Sequence, residues 1–350
     1  MTPSSVISEA EVTAYERELA EHLGVAHVVA VSSGTTALQT ALDAVGVRSG
    51  DEVLIPALTV VMSVAPVVSV GARPVFVDCN ADGTDFDFDD LARKTSEHTS
   101  AVLPVYLWGR AGDTARLRRF ADGHGLSIVA DACQALGTRV DGTQAGSCAT
   151  ISCFSTHKQK LLSTDEGGFL TTNDDYLAAR SRAYRSHWLT PPDEQRPLSR
   201  LAHNFRLAVP LATLGRRELP QLDTLVQQRI DQTAMLLDLL ADLPQVRPAA
   251  VPAGQRWNHY APLLHLQLDR PREFCEHLTG LGVPNSTGSF RLIPVDQRPM
   301  FANDTPPTCT TASELLDGIL AVALTRHDDE QRIRDYAETI TREVTRWASV

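Results

Sequence analysis

The densest chemistry in the chain lies in one stretch, Cys153-Phe154-Ser155-Thr156-His157-Lys158-Gln159-Lys160-Leu161-Leu162-Ser163-Thr164-Asp165-Glu166-Gly167-Gly168. A hydroxyl at Ser155 precedes a lysine by five positions, and a paired glycine turn follows. Desolvation beside a cationic group lowers the pKa of a lysine and frees its amine to act first as a nucleophile and then as a base. Lys158 reads as a surface lysine. Lys160, flanked by Leu161 and Leu162, is the candidate for that chemistry; a snorkelling lysine is the plainer alternative.

Two further constellations stand upstream. Ser127-Ile128-Val129-Ala130-Asp131-Ala132-Cys133-Gln134 is an apolar strand ending on a carboxylate. At the carboxyl end of a strand in an α/β sheet, Asp131 points toward the crevice where ligands bind. A lone buried carboxylate is costly unless a cation faces it, and a protonated pyridine nitrogen is such a cation. The alternative is an Asp that caps the next helix. Ser33-Gly34-Thr35-Thr36-Ala37-Leu38 places a glycine and hydroxyls between a strand and a helix start. Unpaired amides and the positive end of the helix dipole make an anion site there, or Ser33 or Thr35 serves as a plain cap.

The elements that must carry these groups follow from periodicity. Val12, Tyr15, Leu19, Ala20 and Leu23 recur at helical spacing, and Gly24 stops the run. Strands are expected at residues 28–31, 53–55, 74–77, 102–105, 127–130, 151–154 and 169–172, with helices at 37–45 and 113–124 among the connections. Crossover segments of this length predict an α/β large domain with a mostly parallel sheet. Beyond Ala208 a long helix runs to about Leu243, broken near Pro220. It divides the chain into residues 1–220 and a smaller C-terminal α/β domain, 221–350. There a strand is expected at 259–268, helices at 271–281 and 328–347, and a loop at 285–311.

Bulk properties narrow the function. The 350 residues are 43% hydrophobic and 21% charged, the make-up of a soluble globular protein. A net charge of -11 offers no basic surplus for a nucleic-acid backbone. The N-terminus lacks a leader pattern and no stretch is long and apolar enough to span a bilayer, so the expected location is the cytoplasm. The six cysteines, Cys79, Cys133, Cys148, Cys153, Cys275 and Cys309, form no CxxC pair, and no metal site is expected.

Taken in order, the three constellations resemble the sugar and aminocyclitol aminotransferases of the DegT/DnrJ family, which carry an SGTxAL turn, a strand ending in D-x-x-Q and an S-x-x-x-x-K loop closing on E-G-G. The match runs from Val12 to Leu225 and takes in Gly50-Asp51-Glu52-Val53, Pro56-Ala57-Leu58-Thr59 and Pro74-Val75-Phe76-Val77-Asp78. The resemblance implies the fold of type I pyridoxal 5′-phosphate (PLP) enzymes. It makes Lys160 the catalytic Schiff-base residue and pairs Asp131 with the pyridinium nitrogen. Gln134 takes the ring oxygen. The Gly34-Thr35-Thr36 turn and Ser155 hold the phosphate, and Val60 stands in the ring-facing position. Asn204, in His203-Asn204-Phe205-Arg206, matches a segment that reaches the phosphate from a neighbouring subunit, so a homodimer with shared sites is implied.

The sequence departs from the family at Val60, where many relatives have a ring-stacking aromatic, and at Tyr106 and Trp108, where relatives often have His and Tyr. The second departure implies an altered substrate side. The activity implied is transfer of an amino group from glutamate or glutamine to a ketone of a cyclic polyol, a cyclitol or a nucleotide-linked sugar. Lys160-Leu161-Leu162-Ser163-Thr164 leans toward the cyclitol branch. The competing readings are a dehydratase on the same scaffold, which retention of Lys160 argues against, and a non-catalytic relative.

Overall fold

The fold is taken from a computed structural model that describes residues 3–190, 192, 196–289, 292–301 and 308–347. Its centre is a seven-stranded sheet in the order His27–Val31, Gly168–Thr172, Ile151–Ser155, Ser127–Asp131, Thr99–Val102, Glu52–Pro56, Arg73–Val77. Only Gly168–Thr172 runs against its neighbours, which makes the sheet mostly parallel.

Both faces of this sheet are covered, so its strands read as continuous apolar runs. Side chains still alternate along each strand. Val28, Ala30, Phe154 and Phe169 pack with Tyr15 and Leu19 of the N-terminal helix and with Leu222 and Val226. Val29, Val31, Ile151, Cys153 and Leu170 face the other way, onto Ala37, Leu38, Ala41 and Val64. Burying each large apolar side chain contributes about 1.5–3 kcal/mol. These two layers therefore fix the strand ends that carry the site.

The expected 102–105 strand lies earlier, at Thr99–Val102. Pro104 has no N–H for the ladder, and the chain continues beside the next strand through single contacts, Asp131 N–H to Pro104 O and Tyr106 N–H to Asp131 O. The helix Val61–Ser69 was not expected; its apolar run contains Pro66 and has no capping side chain. The N-terminal helix starts at Pro3 rather than near Val12.

The long helix is two, Val209–Glu218 and Leu222–Leu239, joined by a 3-10 turn that contains Pro220. Beyond it Val246–Pro248, Leu263–Leu266 and Ile319–Ala321 form an antiparallel sheet. Helices Pro271–Gly280 and Glu330–Trp347 pack on it through Phe274, Leu278, Ile333 and Ile340. The expected 259–268 strand shrinks to Leu263–Leu266, because Asn258 and Tyr260 are taken up in contacts with the large sheet's loops and His259 between them has a positive φ of 48°. The expected 285–311 loop holds a turn of helix at Ser286–Ser289 and a 3-10 turn at Val295–Gln297, and a helix begins at Thr310. Residues 290–291 and 302–307 of that loop lie outside the described residues.

Candidate active site

The site gathers at the carboxyl ends of the central strands. Asp131 closes its strand and is 6% exposed. Its Oδ1 accepts the Cys133 N–H at 3.1 Å and its Oδ2 accepts the Ser63 hydroxyl at 2.7 Å. Ser63 is in turn the acceptor for the Thr59 hydroxyl at 3.1 Å. No cationic side chain pairs with Asp131 among the described residues. A buried carboxylate held only by neutral donors has room for a cationic ligand. Burial and the adjacent Asp131 carboxylate push the Cys133 thiol well above its ordinary range, so Cys133 stays protonated and does not compete with a lysine as nucleophile.

Gln134 lies one turn beyond. Its Oε1 accepts the Trp108 N–H at 2.6 Å, which fixes the amide orientation and leaves the amide nitrogen as the end able to donate. Trp108 has φ 59°, is 2% exposed and donates its Nε1 proton to Ser286 Oγ at 3.0 Å. Tyr106 is 3% exposed and packs in the core with Ala145 and Phe154. Both side chains are buried, and the Trp108 backbone N–H orients Gln134.

The Ser33 turn is a capping box. Ser33 Oγ accepts the Thr36 N–H at 3.1 Å and Thr36 Oγ1 accepts the Ser33 N–H at 2.9 Å. The plain cap and the anion site thus coexist: Thr36 spends its hydroxyl on Ser33, while the amides of Gly34 and Thr35 are first-turn donors with no intrahelical partner, and Thr35 is exposed. A Cβ on Gly34 would lie 2.7 Å from Cys133 Sγ and 2.9 Å from Ser155 Cβ. Glycine is what lets the turn, the Asp131 strand and Ser155 converge.

Lys158 is exposed, and its N–H closes the loop onto Asp165 O at 2.8 Å. Lys160 is half-buried and donates from Nζ to the Tyr260 hydroxyl at 3.3 Å, with Nζ 4.6 Å from the ring centroid. Sequence reading missed Tyr260, as it missed Ser63. Val60 precedes the Val61–Ser69 helix without a capping bond and is half-buried. Asn204 and Arg206 are exposed. Their segment runs beside the end of the first strand, where Phe205 O accepts the Ser32 N–H at 2.8 Å. Asn204 does not cap the following helix, whose N-cap is Ala208.

An anion turn, a buried carboxylate without a cationic partner, an oriented amide donor and a lysine without a carboxylate partner among the described residues form a donor set that fits a phosphorylated, cationic pyridine aldehyde. The fold and this set define the class of type I PLP proteins. The chain belongs to the DegT/DnrJ/EryC1/StrS aminotransferase family, whose model matches residues 3–341. The cofactor expected from that family is PLP.

The chain is 33% identical over 230 residues to a GDP-perosamine synthase of Vibrio cholerae, a match covering 66% of this chain and 62% of that protein. It is 32% identical over 270 residues to the L-glutamine:2-deoxy-scyllo-inosose aminotransferase of Streptomyces kanamyceticus, covering 73% and 62%. The chain thus spans about three fifths of the length of these curated relatives. Among solved structures, S. venezuelae DesV in complex with a ketimine intermediate superposes with a TM-score of 0.86 at 29% identity, covering 95% of this chain and 89% of that one. Among the described residues no helix is long and apolar enough to cross a membrane, and no cluster of metal-ligating side chains occurs.

Proposed function

We propose that this protein is a PLP-dependent aminotransferase that moves an amino group from glutamate or glutamine to a ketone on a cyclic polyol, either a cyclitol or a nucleotide-linked keto sugar. The observation that carries the reading is Lys160. Its amine has no carboxylate partner among the described residues, and the Cys133 thiol, which lies within electrostatic reach of both Lys160 and Asp131, also abuts Gly34 of the Ser33 turn.

When bound, the cofactor supplies an electron sink that makes a carbon–hydrogen bond beside nitrogen acidic. The chain's own residues do the rest. Lys160 would hold the cofactor through its amine, and that amine would also move the proton at the substrate carbon. Asp131, steadied by Ser63 and Cys133 N–H, keeps the ring nitrogen protonated. Gln134 donates from its amide nitrogen to the ring oxygen. The Gly34 and Thr35 amides, with Ser155, take the phosphate at a helix N-terminus, and Thr36 holds the turn that presents them through its capping bonds to Ser33. Val60 would stand in the ring-facing position with no aromatic ring to stack there, and Asn204 would serve the phosphate of a neighbouring subunit. The working unit is then a homodimer with shared sites, built from a PLP-binding domain over residues 1–220 and a smaller one over 221–350. An amino-acid donor supports a cytoplasmic location.

The test is spectral. Glutamate or glutamine added to the purified yellow protein should convert the cofactor fully to its pyridoxamine form, and a panel of cyclitol ketones and nucleotide-linked keto sugars should reverse the change with the true acceptor. A spectrum that neither donor alters would overturn the aminotransferase reading.

A further inference from the structure

We infer that Tyr260 is a positioning residue that receives the Lys160 amine whenever that amine is not bonded to cofactor, holding it at the site between the steps of amino transfer. The inference rests on the assignment of Lys160 above.

The contact has two parts. The phenol oxygen lies 3.3 Å from Nζ, and the ring centroid lies 4.6 Å from it, so an ammonium meets both a lone pair and the negative face of the ring. No carboxylate pairs with Lys160 among the described residues. That matters for a residue that must let go: a carboxylate would hold the charge in a strong, charge-assisted bond, whereas a neutral phenol holds it weakly enough to be left at each turnover. The phenol also serves both protonation states, accepting from the ammonium and donating to the free amine.

Tyr260 is built into place from both domains. Asn258, 1% exposed, accepts the Tyr260 N–H on Oδ1 at 2.9 Å and donates from Nδ2 to Gln134 O at 2.8 Å and Leu136 O at 2.9 Å. Arg229 of the Leu222–Leu239 helix, 6% exposed, donates from Nη1 to Tyr260 O at 3.1 Å. Both backbone polar groups of Tyr260 are therefore held by buried side chains. The Asn258 N–H donates to Thr138 Oγ1 at 3.0 Å, and the Thr138 hydroxyl donates to Gly109 O at 2.7 Å. Gly109, at φ 83°, must be glycine, because a Cβ there would fall 1.9 Å from Asn258 Oδ1. The segment that orients Gln134 is thus the segment that anchors the Tyr260 loop.

The experiment uses the holoenzyme reconstituted with pyridoxamine phosphate, in which Lys160 is free, and trace acetylation by acetic anhydride read peptide by peptide. Lys158, exposed and two positions away, is the internal standard. Tyr260→Phe should raise Lys160 labelling relative to Lys158 about three- to tenfold, as loss of one hydrogen bond to an amine implies, and Tyr260→Leu should raise it further because the ring face is lost too. In the steady state kcat should fall with the KM of the amino donor unchanged. Unchanged Lys160 labelling in both variants overturns the inference. So does a raised KM with kcat intact, which makes Tyr260 a substrate contact. Borohydride reduction of the PLP form separates this from the reading beneath it: cofactor trapped on any peptide other than that of Lys160 refutes the Lys160 assignment, whatever Tyr260 does.

Discussion

Ser63 places its hydroxyl proton on Asp131 Oδ2 at 2.7 Å while accepting the Thr59 hydroxyl at 3.1 Å, so a short relay from the Pro56–Thr59 segment ends on the carboxylate at the next-but-one strand of the sheet. The relay is directional. Thr59 donates to Ser63 and Ser63 donates to Asp131, so the last hydroxyl proton of the relay is spent on the carboxylate.

Asp131→Asn should keep the fold and part of the cofactor but lower kcat on the order of 10³-fold, since a fixed charge at the reacting ring is removed. Ser63→Ala should lower it only about tenfold, the worth of one hydrogen bond to a charged group. Near wild-type kcat in the Asn variant would reduce Asp131 to a structural role.

Lys160→Ala should lose the visible absorbance of the bound cofactor and all multiple turnover, and Lys158→Ala should keep both. The exposed Lys158 and the half-buried Lys160 differ in surroundings, although they are two residues apart. Turnover retained without Lys160 would sink the assignment.

Exposure of Asn204 and Arg206 motivates a mixing experiment. Chains carrying Lys160→Ala and chains carrying Asn204→Ala with Arg206→Ala are each expected to be inactive. If the segment serves the neighbouring subunit, a mixed dimer has one intact site, and activity should return toward half the wild-type value per mixed dimer. Confirmed heterodimers as inactive as their parents would show that the segment serves its own chain, where it already lies beside Ser32.

His259 gives a pH prediction. Burial, with the Arg229 guanidinium nearby, lowers its pKa to about 4, whereas an unfolded histidine titrates near 6.5. Above about pH 6.5 both states hold neutral imidazole and its contribution to stability is whole. As the pH falls toward 4 the unfolded chain takes up the proton first, and the fold loses about 2 kcal/mol once partial exposure of the ring is allowed for. His259→Asn, which tolerates the positive φ of 48°, should flatten the fall of Tm across that interval. An unaltered Tm profile would place the acid sensitivity elsewhere.

What the sequence shows and what it hides divide by distance along the chain. Most strands of the large sheet, the Ser33 turn, Asp131 and the lysine loop are local patterns and lie where periodicity and turn residues indicate, the 102–105 strand being displaced to Thr99–Val102. Ser63 and Tyr260 are invisible to the same reading because each meets its partner far away in sequence, Tyr260 being 100 positions from Lys160. Asn258, His259 and Tyr260 sit next to an apolar run and extend it on paper, yet the ladder starts only at Leu263. The burial of Tyr106 and Trp108 is equally hidden, since nothing in an aromatic beside a motif tells a core side chain from an exposed one.

Because Gly168–Thr172 runs opposite to Ile151–Ser155, residues 156–167 leave the sheet and rejoin it at the same end of these two neighbouring strands, across the Ser155–Gly168 pair. A crossover connection travels the length of the sheet before it returns; this one is a closed loop whose ends are clamped by ladder hydrogen bonds. Thr156 and Thr164, 2.6 Å apart through their hydroxyls, tie it again inside the clamp. The entropy of closing the loop is therefore settled when the sheet forms rather than when a ligand arrives. Lys160 sits in a small, already ordered frame, so under the role proposed for it capture of the cofactor is a matter of chemistry instead of folding.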